Sequence, residues 1–224
     1  MIFPLSYFLA INPLRFSWGF REGLKRRALE PVPTELVERA ELIDRYMLFV
    51  RDFLTISFVV VLISRQSVPA ARVGLGLHGW KGNVEIGIAA GLARVAMIST
   101  LNIFVPALRQ NSTANYMRMG TTMFWCLSIL VGAFAEEFWI AVCLVLFRMT
   151  AYPASLSIAL TAIIFGAMHF HHRFGGALAI AMTGAISCLL FLWTGSLITT
   201  CLFHLLGNLG VLFWARVGGR VAPV

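Results

Sequence analysis

Between residues 46 and 214 the chain passes through six apolar runs, near 46–64, 83–107, 121–147, 153–170, 175–193 and 196–214. A helix needs roughly 17–25 predominantly apolar residues to cross the hydrocarbon of a bilayer. The later links between the runs are short, as in a compact bundle. The pattern predicts an all-α fold: a polytopic membrane helical bundle of about six transmembrane helices, covering 46–216. The first run is the weakest, because Arg51 and Asp52 interrupt it. They are expected to pair with each other near one interface, where long side chains reach out toward water.

Composition agrees. Hydrophobic residues make up 59% of the chain and charged residues 12%, whereas a soluble domain is about one-quarter charged. Such a chain cannot build a polar skin, and the lipid bilayer is its expected surrounding. The net charge of +8 does not point to nucleic acid, because the basic residues sit in the N-terminal quarter and in the gaps between apolar runs. They do not alternate with aromatic residues as a base-stacking platform requires. The cysteines Cys126, Cys143, Cys188 and Cys201 all lie inside apolar runs without a C-x-x-C pair, and they read as small buried hydrophobes.

Residues 1–45 form a separate N-terminal segment, interfacial and then charged. Its opening run "MIFPLSYFLAINPL" carries Pro4 and Pro13, lacks a preceding basic residue and is too short to span. With the N-terminus inside, thirteen Lys and Arg fall on the inner side and four (Arg65, Arg72, Lys81 and Arg148) on the outer, leaving Arg94 within the second run. That bias puts both termini in the cytoplasm; for a bacterial source the location is the inner (plasma) membrane.

Of the ten acidic residues, eight lie at or before Glu85; only the adjacent pair Glu136 and Glu137 follows, mid-way along the third run. Burying a carboxylate at that depth costs several kcal/mol, on the order of 3 on insertion scales. An intramembrane acid is a functional-site candidate, with a structural ion pair between helices as the alternative. The fourth run ends in His169, followed by His171 and His172 beside Arg173, which read as interfacial. In the sixth run His204 and Asn208 are four apart and share one helix face; alone, they are as easily a helix-to-helix hydrogen bond. Together, a carboxylate, two imidazoles and an amide make a hydrolytic set. A buried Glu beside imidazole can take a proton from water, and imidazole and amide donors can stabilise an oxyanion. No Ser or Cys has an evident activating base, so water is the expected nucleophile.

The order E-E, then F-x-x-x-H, then H-x-x-x-N, each on its own apolar run, resembles the CPBP intramembrane proteases. That family includes the type II CAAX prenyl endopeptidases and the bacteriocin-processing and immunity (Abi) proteins. The matching residues are Glu136-Glu137, Phe165 with His169, and His204 with Asn208. "RVGLGLHGW" and "GGALAIAMTGAISCLLFLWTGSLITTCLFHLLGN" fit as well, so the resemblance runs from about Gly74 to Asn208 within a core of about 83–214. It implies a peptidase that cuts a membrane-associated or lipid-modified protein near the membrane surface. Glu136 and His169 would activate water, and His204 with Asn208 would hold the oxyanion. The family has been described both as metal-dependent and as glutamate proteases. There is no H-E-x-x-H, but Glu136, His169 and His204 would be the ligands of an open Zn2+ site if one exists.

One departure from the resemblance stands out. The family motif is E-E-x-x-x-R, and this chain has Ala141 at the Arg position. An Arg there would lie one turn from Glu137 and neutralise it; Arg94 is the expected substitute. The departure also keeps a second reading open, a catalytically altered relative acting as a membrane scaffold or chaperone. A proton or cation transporter built on the Glu pair is a third, without the inverted repeat that would favour it.

Overall fold

A computed structural model describes residues 50, 52–61, 63–65, 70–76, 78–104, 123–169 and 173–218. The N-terminal segment 1–45, Arg51, Arg109, Arg118, His171 and His172 lie outside them. The described residues form six helices and no strand, as the apolar runs predict. They are α1 (Asp52–Val61), α2 (Trp80–Phe104), α3 (Met123–Met149), α4 (Ala154–Met168), α5 (Arg173–Thr194) and α6 (Leu197–Gly218), with a 3-10 turn at Ala70–Val73 before α2. Four of them, α2, α3, α5 and α6, are long and apolar enough to cross a membrane, and the chain is an integral membrane protein.

The helices differ in role. In α3, 61% of the spanning window is buried, against 11% in α2. α3 is therefore the central post, and α2 turns most of its apolar surface (Leu92, Met97 and Phe104 among others) outward, as a lipid-facing helix does. Phe138, Ile140 and Leu144 of α3 pack with Phe165 of α4, Cys188 and Phe191 of α5 and Leu197 of α6. The acids of α3 are thus surrounded by helices, not by lipid.

α2 and α6 pack through small residues. A Cβ on Gly87 would come 2.9 Å from the carbonyl oxygen of Thr199, and one on Gly91 would come 2.6 Å from Leu206. Without aqueous driving force between apolar helices, such close backbone approach is what holds them. The pair is pinned at both ends, where the Thr199 hydroxyl donates to the Asn83 carbonyl at 2.9 Å and Trp214 Nε1–H donates to Ser99 Oγ at 2.7 Å.

The loop before α2 closes one end of the bundle. Gly74 has φ +77°, a left-handed conformation that favours glycine. Its carbonyl accepts from the Leu197 N–H at 3.1 Å, which satisfies one of the unpaired donors in the first turn of α6.

One expectation is corrected. The run at 153–170 yields a helix of 15 residues, about 22 Å long at 1.5 Å per residue, which is shorter than a hydrocarbon core of about 30 Å. α4 starts after Pro153 and ends at His169, which caps it. The expected pairing of Arg51 with Asp52 lies outside the described residues, because Arg51 does. Asp52 is buried, with its carboxylate seated against Gly132 of α3, one turn before Glu136.

Candidate active site

Adjacent residues on a helix point about 100° apart, so Glu136 and Glu137 cannot share an environment. Glu137 is 1% exposed and turned toward α5 and α6, whereas Glu136 is 22% exposed and faces the ends of α4 and α6. One acid is built in and the other is left accessible.

His169 reaches Glu136 because α4 stops there. At the helix end its backbone N–H donates to the Gly166 carbonyl at 2.9 Å, one residue short of the α-helical partner. That frees the Phe165 carbonyl, and the His169 ring fills the place, with Nδ1 2.9 Å from the Phe165 oxygen. A carbonyl can only accept, so Nδ1 carries the proton and Nε2 is the atom presented to the site. Nε2 lies 3.5 Å from Glu136 Oε1.

His204 approaches from α6. Its Nδ1 is 2.7 Å from Glu137 Oε1, and its Nε2 is 3.4 Å from Glu136 Oε2. Each ring nitrogen therefore faces a carboxyl oxygen, and the two acids clamp one imidazole between them. The Ser187 hydroxyl of α5 donates to the same Glu137 Oε1 at 2.9 Å, while Glu137 Oε2 is buried with no hydrogen-bond partner among the described residues. Phe165 walls the site, its ring edge-on to His169 at 4.8 Å and to His204 at 6.5 Å between centroids. Gly184 of α5 leaves it room, since a Cβ there would come 2.9 Å from that ring.

The structure brings Glu136, Glu137, His169 and His204 into one cluster from three helices. Asn208 is one turn beyond His204 on α6 and half-buried, and its side chain makes no hydrogen bond among the described residues. Arg94 is not the partner of Glu137. Its guanidinium donates to the His204 backbone carbonyl at 3.3 Å, covers the Phe203 ring and rests on Gly207. Ala141, at the position of the motif's Arg, is packed in the core. Ser187 was not singled out by its sequence; the one signal it gives is a small hydroxyl within the apolar stretch of α5.

The zinc site that the sequence left open would be held by Glu136 with Nε2 of His169 and of His204, whose Nδ1 atoms are turned to the Phe165 carbonyl and to Glu137, the second partners that metal-binding imidazoles use. Among the described residues no three His, Cys, Asp or Glu side chains are already gathered at ligand spacing.

Residues 118–210 match the sequence profile of a family described as type II CAAX prenyl endopeptidase Rce1-like. This is the family that the motifs resemble, and the matched segment contains all five site residues together with Phe165 and Ser187. No curated protein and no solved structure gives a match.

Proposed function

We propose that the chain is an intramembrane endopeptidase that hydrolyses a peptide bond near the membrane surface in a membrane-associated or lipid-modified protein. The observation that carries the proposal is the setting of Glu136, whose two oxygens each face the Nε2 of a different histidine, at 3.4 and 3.5 Å. These separations exceed a formed N–H···O bond. Catalytic hydrogen bonds are often this long in unliganded sites and tighten on binding substrate.

In this mechanism a water bound at Glu136 attacks the scissile carbonyl carbon. Glu136 takes the proton from the water, and His169, fixed as the Nδ1–H tautomer, accepts from that water through Nε2 and so orients it. The carbonyl oxygen becomes an oxyanion, and His204 donates to it through Nε2–H while Glu137 at Nδ1 balances the charge on the ring. Asn208, one turn beyond His204 on α6, adds a second donor. Collapse of the intermediate breaks the C–N bond, and the proton held by Glu136 passes to the leaving amine. One water is consumed, and a carboxylate and an amine are released.

The bias of Lys and Arg supports an orientation with both termini in the cytoplasm, which puts the His169 end of α4 toward that side. For a bacterial source the membrane is the inner one. A scaffold role is favoured by one feature, Ala141, but Glu137 draws its donors from Ser187 and His204 instead, so the missing Arg does not leave it without neutralisation.

The test is cleavage of a library of lipidated and hydrophobic-tailed peptides by the detergent-purified chain, with Glu136→Gln alongside. Cleavage that disappears in the variant supports the enzyme. Absence of any cleavage, with partner proteins co-purifying equally with both forms, would establish the scaffold.

A further inference from the structure

We infer that Ser187 is a positioning residue for the hydrolytic centre, setting the orientation of His204 by locking Glu137. The inference rests on the peptidase reading for its kinetic consequence only; its structural content stands alone.

Polar residues within a helix usually turn their hydroxyls back on their own backbone. Two threonines of α5 do so: Thr183 donates to the Ala179 carbonyl at 3.1 Å and Thr194 to the Leu190 carbonyl at 2.8 Å. Ser187, on the same helix and fully buried, instead leaves its helix and donates to Glu137 Oε1 at 2.9 Å.

What it holds is otherwise weakly held. Glu137 Oε2 has no donor among the described residues, so the carboxyl group is oriented through Oε1 alone, by Ser187 and by Nδ1 of His204. The His204 bond cannot fix Glu137 and be fixed by it at once; an outside anchor is needed, and Ser187 is that anchor. Two hydrogen bonds run in series, from the Ser187 hydroxyl to Glu137 and from Glu137 to His204 Nδ1, and they leave His204 Nε2 facing Glu136 at 3.4 Å. Without Ser187 the Glu137 carboxyl can rotate, and the His204 ring loses its preferred direction toward Glu136.

The experiment uses the full chain in nanodiscs with 15N-labelled histidine. The ring signals of His204 are identified by their loss in His204→Gln. In Ser187→Ala the His204 Nδ1 and Nε2 signals are expected to shift and broaden, while those of His169, anchored separately on Phe165, stay in place. Ser187→Thr, which keeps the hydroxyl, is expected to restore them. On a cleaved substrate Ser187→Ala lowers kcat about tenfold, the scale of one hydrogen bond to a charged group, and leaves KM unchanged.

Unchanged His204 signals in a folded Ser187→Ala protein would overturn the inference whatever the activity. If Ser187→Thr unfolds, the Ala variant alone still decides. A protein that cleaves nothing but shows the His204 shift removes the peptidase reading and leaves the positioning role intact.

Discussion

Glu137 Oε1 lies 2.7 Å from Nδ1 of His204, and both side chains are buried between α3 and α6. The contact gives the second acid of the pair a distinct duty. It does not face the accessible space that Glu136 faces; it bonds the imidazole that does.

Glu137→Gln therefore separates activity from stability. The amide keeps the shape but removes the negative charge beside Nδ1 of His204. Peptide cleavage is expected to fall about a hundredfold, in line with the loss of an orienting carboxylate behind a catalytic imidazole. The midpoint of thermal unfolding is expected to hold or rise, because the carboxyl oxygen that has no donor is replaced by a neutral group. A calorimetric scan beside a cleavage assay reads both.

His169→Ala removes the ring that both closes α4 and faces Glu136. The expected loss in kcat is about a hundredfold or more. The cost in stability is small, since one ring-to-carbonyl bond contributes about 1 kcal/mol. His169→Asn can keep a donor for the Phe165 carbonyl; it is expected to recover the stability and not the rate.

Gly74→Ala is expected to damage the fold more than its size suggests. The residue sits at φ +77°, and a Cβ would come 2.5 Å from the Leu197 backbone nitrogen and 2.7 Å from the Phe191 ring. Neither the backbone strain nor the clash with a main-chain atom relaxes easily. A loss of about 2 kcal/mol or more follows, read as a lowered unfolding midpoint in detergent.

Much of this was legible in the sequence. Apolar runs of spanning length dictated an all-helical bundle, because in lipid the backbone must satisfy itself. Glu136, Glu137, His169 and His204 stood out because each is costly in hydrocarbon, and the structure gathers them. What could not be read was direction. Whether Arg94 turns to α3 or to α6 depends on which helix offers a glycine for it to rest on, and Gly207 does so. Ser187 was hidden because a serine in an apolar helix ordinarily bonds its own backbone. The end of α4 was legible, because the fourth run stops at His169, the residue that caps the helix.

Cleavage is expected to persist at an undiminished rate in a strong chelator such as EDTA. In the proposed mechanism Glu136 itself takes the proton from the water, and no step calls on a metal. A loss restored by added zinc would show that the site rearranges around a metal.

The central claim is that Glu136 activates a water that attacks the peptide directly. Hydrolysis in 18O-labelled water, followed by mass spectrometry of the products in a single turnover, tests it most directly. The expected result is one 18O in the new carboxylate at the wild-type rate, no acyl-enzyme adduct at any time, and a rate at least about a thousandfold lower in Glu136→Gln. An acyl adduct trapped on a serine or cysteine, or a Glu136→Gln protein that cleaves as fast as wild type, would contradict it.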